Sequence, residues 1–285
     1  MILPIQKNHF PMMMLNKTKI FLIISLVYLL GTGCKEVPKE WVFKEEIRLN
    51  GIKPLGIIVE GEEMWLTDVD NNRMVKTDLG GNVLRSYPGL MRPMHFAMTG
   101  SKVYVAEFFG DTISILRDEN RSPMRLDVEL DGPAGIDVDD KTTAIIDFYN
   151  HRLILNNNGE ITIIGKKGHA DGEFNYPTDV ELFDDQIFVA DAYNNRVQVF
   201  DYAGKVLKVI GWREDIRVAT GLAIGPDRVY VTDFHGSRIL IYDFEGVLLK
   251  VFEDHLDKPT DIYVNEDLMY VANYGGGSVT VFNLQ

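Results

Sequence analysis

Short runs of alternating apolar and polar residues recur along the sequence from residue 41 to its end. They are rich in β-branched and aromatic side chains, as in MWLT, VYVA, IFVA, VYVT and MYVA. A period of two places successive side chains on opposite faces of an extended chain, so these runs predict β-strands. Each is followed by a polar turn and a second strand-like run, such as MVKT, VQVF, ILIY or VTVF. The pattern predicts an all-β domain built from successive hairpins.

The polar turns are copies of one hexad. The six copies are DVDNNR from Asp68, EFFGDT from Glu107, DFYNHR from Asp147, DAYNNR from Asp191, DFHGSR from Asp233 and NYGGGS from Asn273. Their starts lie 39, 40, 44, 42 and 40 residues apart. Such a period is typical of a four-stranded propeller blade, so six copies predict a six-bladed β-propeller.

Two further strands complete each repeat. The strand before each hairpin opens with Pro54, Pro93, Pro133, Pro177 or Pro259, and in blade five with Thr220 in the proline's place. The fourth strand follows a turn that contains glycine, as in GGNVLRSY, AGKVLKVI and EGVLLKVF. Glycine suits the tight turns of antiparallel hairpins, so each blade is expected to be a four-stranded antiparallel meander.

The last repeat ends after its third strand, VTVFNLQ. The segment WVFKEEIRL, which begins at Trp41, has the same alternating character and precedes the first repeat. We therefore expect this N-terminal strand to pair into blade six and close the ring. Closure removes the unpaired edges that an open sheet would present.

Blade four carries the segment FVADAYNNRVQVFD, from Phe188 to Asp201. A strand ending in Val-Ala-Asp, followed by a polar turn and Asn-Arg-Val, resembles the hallmark of the NHL-repeat family. The resemblance extends over all six repeats and implies a propeller over residues 41–285. Because NHL propellers include enzymes, sensors and binding platforms, the resemblance says more about fold than about function.

The amino terminus resembles a bacterial lipoprotein signal. Lys17 and Lys19 precede an apolar run from Ile20 to Leu30, which is too short to span a membrane, and small residues then lead to Cys34. Residues 1–33 are therefore expected to be a signal peptide, and residues 34–40 a lipidated cysteine with a short tether. This predicts lipid anchoring in the bacterial envelope, outside the cytoplasm. An ordinary secretory signal with an incidental cysteine is the alternative.

The charge of the chain limits its partners. The formal net charge is −13, and it becomes −16 without residues 1–33, because that segment holds three lysines and no acid. Nucleic-acid binding needs a positive surface, so we expect no nucleic-acid partner. Within the acidic body, Lys53, Arg92 and Lys258 occupy corresponding positions in blades one, two and six. They form either a local basic rim or a solvated edge.

Four hexads pair an acid with an arginine five residues later. The pairs are Asp68 with Arg73, Asp147 with Arg152, Asp191 with Arg196, and Asp233 with Arg238. A single functional site rarely needs four copies of one pair. We therefore expect these pairs to fix the turns and tie neighbouring blades together.

Positions that differ between blades are better candidates for a site. Two loops of each blade, one entering its first strand and one joining its second and third strands, emerge at the same end, which we call the mouth face. Two residues after the proline position, an inner ring reads Gly56, His95, Gly135, Asp179, Leu222 and Asp261. The loops between second and third strands add Phe108, Phe109, Phe148, Tyr149, Tyr193, Phe234, His235 and Tyr274. Aromatic loops on a rigid scaffold are suited to recognition, although packing between blades would explain part of this set.

We expect His95, Asp179, Asp261, Phe109, Tyr149, Tyr193, His235 and Tyr274 to contact a ligand. The expected function is non-catalytic binding of a peptide, a glycan or a partner envelope protein by a monomeric propeller. No catalytic residue stands out, and no cofactor is predicted.

An enzyme is the alternative interpretation. The peptide-amidating lyase of the extended NHL family holds zinc with histidines from different blades, and this sequence resembles it only at His95. Zinc also accepts carboxylates, so His95, Asp179 and Asp261 are weak candidates for a zinc or calcium site. Their origin in blades two, four and six would give a threefold arrangement. The alternative is thus a metal-dependent lyase or hydrolase with its site in the central channel.

Overall fold

Six antiparallel sheets of four strands each account for the part of the chain that the structure, a computed structural model, describes: residues 40–118, 120–211, 216–265 and 267–285. This confirms the all-β, six-bladed propeller predicted from the repeats. Cys34 and the rest of the expected signal lie outside the described residues. Within those residues, no helix has the length and apolar character needed to cross a membrane.

The strands follow the predicted meander order. The N-terminal strand is β1 (Trp41–Arg48), and blade one consists of β2 (Pro54–Glu60), β3 (Glu63–Asp68), β4 (Arg73–Asp78) and β5 (Val83–Pro88). Blade two consists of β6 (Pro93–Thr99), β7 (Lys102–Glu107), β8 (Thr112–Arg117) and β9 (Asn120–Pro123). Blade three consists of β10 (Pro133–Val138), β11 (Thr142–Asp147), β12 (Arg152–Asn157) and β13 (Glu160–Ile164).

The second half of the ring repeats this plan. Blade four consists of β14 (Asp179–Phe183), β15 (Gln186–Asp191), β16 (Arg196–Asp201) and β17 (Val206–Ile210). Blade five consists of β18 (Ala219–Ile224), β19 (Arg228–Asp233), β20 (Arg238–Asp243) and β21 (Leu248–Phe252). Blade six contains β22 (Pro259–Val264), β23 (Leu268–Asn273) and β24 (Ser278–Leu284). Two single-turn 3-10 helices, Val69–Asn71 and Ala192–Asn194, lie in the turns of blades one and four.

Strand β1 supplies the fourth strand of blade six. It pairs antiparallel with β24, from Trp41 opposite Leu284 to Arg48 opposite Ser278. The indole of Trp41 is buried, and its Nε1 donates a 3.2 Å hydrogen bond to the Tyr230 hydroxyl of blade five. The N-terminal strand is therefore attached both by its backbone to blade six and by a side chain to the neighbouring blade.

Apolar side chains between adjacent blades form the core. Across the seam of the ring, Ile57 and Leu66 of blade one belong to the same buried cluster as Ala272 and Val279 of blade six. Burial of such β-branched and aliphatic groups is the main favourable term in folding. Each blade therefore depends on its neighbours for its hydrophobic contacts.

The acid and arginine pairs fix the turns. In blades one, three, four and five the arginine Nε lies 2.7 to 2.9 Å from a carboxylate oxygen of the fully buried aspartate at the start of the hexad. In blade two, Glu107 takes the place of the aspartate and pairs instead with Arg121 of β9, at 2.6 Å. These contacts agree with a structural role for the repeated pairs.

The register of blade five differs from the predicted one. Ala219 lies opposite Asp233, as Pro54 lies opposite Asp68 and Pro259 opposite Asn273. Ala219, rather than Thr220, therefore occupies the proline's place. The inner ring accordingly contains Gly221, whereas Leu222 packs in the hydrophobic core between blades four and five.

Candidate functional site

The corrected inner ring alternates between glycine and polar residues. Blades one, three and five contribute Gly56, Gly135 and Gly221, and blades two, four and six contribute His95, Asp179 and Asp261. An added Cβ would come within 2.8 Å of the Asp179 Cα at Gly135, and within 2.3 Å of the Thr260 carbonyl oxygen at Gly221. Glycine at these positions allows the first strands to approach closely enough for the three polar side chains to meet.

The structure brings together His95, Asp179 and Asp261, which we call the channel triad. His95 Nδ1 lies 3.6 Å from Asp179 Oδ1 and 3.6 Å from Asp261 Oδ2. All three side chains are buried, and one donor atom from each lies within 4.8 Å of the other two. The threefold arrangement expected from alternate blades is therefore present.

Both aspartates of the channel triad also join neighbouring blades. Asp179 Oδ2 accepts a 2.8 Å hydrogen bond from the backbone N–H of Leu222, and Asp261 Oδ2 accepts one from Ile57 at 2.8 Å. Asp137 of blade three accepts a hydrogen bond from Leu182 in the same way. Part of the shared geometry of these carboxylates thus has a structural cause.

Burial and mutual charge determine the protonation of the channel triad. Burial alone lowers the pKa of His95, but Asp179 and Asp261 outweigh this effect and raise that pKa to about 9. Burial raises the pKa of Asp179 to about 7, although the positive charge of His95 opposes the shift. At neutral pH His95 is therefore an imidazolium between two carboxyl groups, a buried charge stabilised by its partners.

A cavity of about 220 Å³ extends from the channel triad toward the end opposite the mouth face. Residues of the second half of the first strands line it, including Ile58, Met98, Ile224 and Val264. Asp137 and Glu181 add two half-buried carboxyl groups, and burial raises the pKa of both. We call this space the channel cavity.

A separate depression of about 300 Å³ lies at the mouth face. Its lining residues are Leu55, Val69, Arg92, Phe148, Thr178, Tyr193, Val218, Thr220, Phe234, His235, Thr260 and Tyr274. These residues come from the start of the first strands and from the loops between second and third strands. We call this space the mouth depression.

The predicted ligand contacts therefore divide between two places. Tyr193, His235 and Tyr274 line the mouth depression, whereas His95, Asp179 and Asp261 line the channel cavity. Phe109 and Tyr149 line neither, but both are exposed. The sequence predicts that the inner ring and the loop residues surround one mouth of the channel. It does not reveal that the buried channel triad faces the channel cavity instead.

Aromatic rings form a continuous cluster on the mouth face. Ring centroids are 5.2 Å apart between Phe108 and Phe148, 4.9 Å between Phe148 and Tyr176, and 5.4 Å between Tyr176 and Tyr193. Tyr149 packs against Phe108 at 5.2 Å. The buried members of this cluster hold its exposed members in place.

Hydrogen bonds between blades position the loops that enter the first strands. The fifth hexad residue accepts a hydrogen bond from the backbone N–H of the residue before the next proline. The pairs are Asn72 with Arg92 at 3.0 Å, Asp111 with Gly132 at 2.8 Å, His151 with Tyr176 at 2.9 Å, and Ser237 with Lys258 at 3.3 Å. Sequence reasoning missed these contacts, although a polar acceptor at the fifth position of those hexads was their signal.

Comparison with known proteins agrees with the architecture. Residues 174–200, within blade four, match the model of the NHL repeat. The protein is thus a six-bladed β-propeller. It contains an NHL repeat, which confirms the resemblance noted in blade four. No curated protein matches the sequence.

Several solved structures share this fold. A streptogramin B lyase is 16% identical with a TM-score of 0.66, covering 85% of this chain and 86% of that one. A virginiamycin B lyase from Staphylococcus aureus is 14% identical with a TM-score of 0.65, covering 86% and 100%. A chain of a nidogen/laminin complex is 16% identical with a TM-score of 0.61, covering 72% and 81%. Identities this low establish a common fold alone.

Proposed function

We propose that this propeller is a non-catalytic recognition module that binds a peptide, a glycan or a partner envelope protein at its mouth face. The observation that carries the proposal is the exposure of aromatic rings there: Phe109 is 62% exposed, Tyr193 55% and Tyr149 48%. Exposed apolar groups clustered on one face are typical of interaction surfaces. One neighbour in fold was solved in a nidogen/laminin complex, which supports protein binding by such a propeller.

The proposal includes a location. Lipidation at Cys34 would hold the propeller at a bacterial membrane, outside the cytoplasm, with residues 34–40 as the tether. The propeller would then act as a monomer, because β1 pairs with the edge of β24 that would otherwise be open to another chain. The support is the sequence before Cys34, together with the absence of any other cysteine in the chain.

Binding measurements on matched variants test the recognition role. Peptide and glycan arrays probed with the purified propeller would supply a ligand, and its affinity would then be measured for Tyr193→Ala and for Leu249→Ala. Leu249 is 49% exposed on the outer strand β21, so it controls for loss of an exposed apolar side chain elsewhere. Truncating an aromatic anchor costs about 2 kcal/mol or more, roughly thirtyfold in affinity.

The expected result is weaker binding by Tyr193→Ala alone, with both melting temperatures close to that of the unmodified protein. Equal affinities for the two variants would contradict recognition at the mouth face. Unfolding of Tyr193→Ala without a specific change in affinity would assign the tyrosine to packing instead.

A metal-dependent lyase or hydrolase is a second candidate, favoured by the channel triad. One imidazole nitrogen and two carboxylate oxygens form a donor set that suits zinc, whereas calcium prefers six to eight oxygens. The donor atoms are close enough to share one ion. A zinc ion held there would supply Lewis acidity toward a carbonyl or a bound water. Two of the neighbours in fold are lyases, which supports this second candidate.

Metal analysis separates the two candidates. The purified protein would be titrated with zinc and, separately, with calcium, and the bound metal counted after gel filtration. His95→Ala should lose one equivalent of zinc if the channel triad is a metal site, whereas Asp137→Asn, which alters a channel carboxyl group outside the triad, should retain it. Absence of stoichiometric metal in the unmodified protein would overturn this second candidate.

A further inference from the structure

The mouth depression differs in charge from the rest of the protein. Among its twelve lining residues there is no aspartate or glutamate, although the chain has 42 acidic residues. Its charged or titratable members are Arg92, His235 and the two tyrosines. The channel cavity, at the other end, is lined by Asp137, Asp179, Glu181 and Asp261. The two ends of the channel therefore favour ligands of opposite charge.

Arg92 is the charged group best placed to meet a ligand. Its backbone has a φ of 56°, in the left-handed region, and is held there by the hydrogen bond from its N–H to Asn72 and by a second one, from the Phe108 N–H to its carbonyl. The guanidinium lies 5.3 Å from the centre of the Phe109 ring. Arg92 forms no ion pair with any residue that the structure describes. The same left-handed backbone recurs before the proline at Gly132, Tyr176 and Lys258, so the repeat itself fixes this conformation. In blade two it places an unpaired guanidinium at the rim.

Two lysines add positive charge next to the aromatic walls. Lys258 also has a left-handed backbone, with a φ of 51°, and its Nζ lies 5.9 Å from the centre of the Phe234 ring. Lys53 Nζ lies 5.7 Å from the centre of the Tyr274 ring and donates hydrogen bonds to two backbone carbonyl oxygens. Neither ammonium group lines the mouth depression, so both add positive charge next to its aromatic walls.

Asp70 carries an acidic group close to the mouth depression but does not line it. The Tyr274 hydroxyl lies 3.2 Å from the carboxylate of Asp70, which is exposed on the turn of blade one. That hydrogen bond orients the tyrosine and occupies part of the carboxylate. The lining itself thus combines apolar and aromatic walls with one free guanidinium.

We infer that the mouth depression binds an anionic group carried on an apolar body, with the carboxylate or equivalent anion at Arg92 and the apolar part against Tyr193, Phe234 and Tyr274. This inference rests on the proposed recognition function and names the chemistry of its ligand. A planar guanidinium binds a carboxylate through two parallel hydrogen bonds, which a neutral group does not replace.

A pair of fragments tests the inference directly. 3-Phenylpropanoate and its neutral analogue 3-phenylpropanamide share one apolar body and differ in charge. Each would be titrated into the propeller and followed by backbone amide chemical shifts, first with the unmodified protein and then with Arg92→Gln, Arg92→Lys and Arg117→Gln. Arg117 is an exposed arginine on β8 of the same blade, at the end away from the mouth, so it controls for general loss of positive charge.

The acid should perturb residues of the mouth depression and bind at least about tenfold more tightly than the amide, as expected for a hydrogen bond between charged groups. Arg92→Gln should remove this preference, Arg92→Lys should keep part of it, and Arg117→Gln should leave it unchanged. Added salt should weaken binding of the acid only.

Other outcomes would overturn the inference in distinguishable ways. Equal binding of acid and amide at the mouth would reject the anionic preference while supporting recognition there. An unchanged preference in Arg92→Gln would reject the assigned residue. Binding of neither fragment, or binding elsewhere, would reject the ligand class; the effect of Tyr193→Ala on an array-derived ligand would still decide the broader function.

Discussion

Asp261 of the last blade accepts, through Oδ2, a 2.8 Å hydrogen bond from the backbone N–H of Ile57 in the first blade. The bond crosses the seam where the ring closes, and the same oxygen lies 3.6 Å from His95 Nδ1. The Asp261 carboxylate thus both stabilises the closed ring and forms part of the channel triad. Any loss of metal binding on replacing Asp261 must therefore be compared with the accompanying change in stability.

Ring closure by the N-terminal strand predicts a difference between two neighbouring residues. Trp41→Ala should lower the free energy of unfolding by about 3 to 5 kcal/mol, because it removes a buried indole and its hydrogen bond to Tyr230. Val42→Ala, on the same strand but 41% exposed, should change it by about 0.5 kcal/mol or less. Urea denaturation of both variants provides the measurement. Equal, small effects would mean that β1 contributes little to the ring.

The unusual pair of blade two predicts a second effect on stability. Glu107 is fully buried and accepts hydrogen bonds from Ser114, from the Met91 N–H and from Arg121. Arg121→Ala would leave a buried carboxylate without its cation, at a cost of about 3 kcal/mol, the low end for a buried pair because Arg121 is partly exposed.

Arg117→Ala serves as the control for that experiment. Arg117 is exposed and lies on the neighbouring strand β8, so its replacement should change the free energy of unfolding by less than about 0.5 kcal/mol. Thermal and chemical denaturation of the two variants would compare them. Similar stabilities would show that the Glu107 charge is compensated without Arg121.

The parts of the fold that were predictable from sequence are those fixed by local pattern. Alternation of apolar and polar residues identifies the strands, and the number of hexads gives the number of blades. Both signals are local, because each is contained within a few consecutive residues. The register of β18 is different: it depends on the pairing of Ala219 with Asp233 across a β-bulge. Blade five has no proline to mark this position. Taking Thr220 rather than Ala219 as its equivalent assigned Leu222 to the channel, although Leu222 packs in the core.

Contacts between distant strands explain what was missed at the site. The partner of Glu107 is fourteen positions later, on another strand, so the five-residue spacing of the other hexads gave no sign of Arg121. The sequence likewise gives no sign of how far along the channel each side chain lies. His95 and Arg92 are three residues apart, yet one lines the channel cavity and the other the mouth depression.

Lipid anchoring predicts a change in location without a change in fold. Cys34→Ser should abolish labelling by radioactive palmitate and release the protein from the membrane fraction, because stable anchoring needs two acyl chains on one residue or an equivalent second signal. Lys35→Gln, next to the modified position, should leave both properties intact. Membrane retention of Cys34→Ser, with labelling unchanged, would exclude Cys34 as the anchor.

His151 predicts a pH dependence that involves the mouth face. It is buried and, through Nδ1, accepts a 2.9 Å hydrogen bond from the Tyr176 N–H. Burial lowers the pKa of His151, nearby Lys167 lowers it further, and Asp191 opposes the shift. A protonated Nδ1 has no lone pair for the bond, so the folded state resists protonation.

The sign of the effect follows from the lowered pKa. Above the unfolded-state pKa of about 6.5, His151 is neutral in both states and does not make the free energy of unfolding depend on pH. Below that pH the unfolded chain takes up the proton before the folded one does, so the free energy of unfolding falls as the pH decreases. His151→Asn is the matched variant, because Asn72 occupies the same position in blade one, also with a left-handed backbone, and bonds Arg92 in the same way. Unfolding free energies measured from pH 7.5 downward should fall more steeply for the unmodified protein than for His151→Asn. Other titrating groups are common to both proteins and cancel in the difference between the curves. Parallel curves would show that His151 is protonated equally in both states and that the bond to Tyr176 does not control the acid stability of the mouth face.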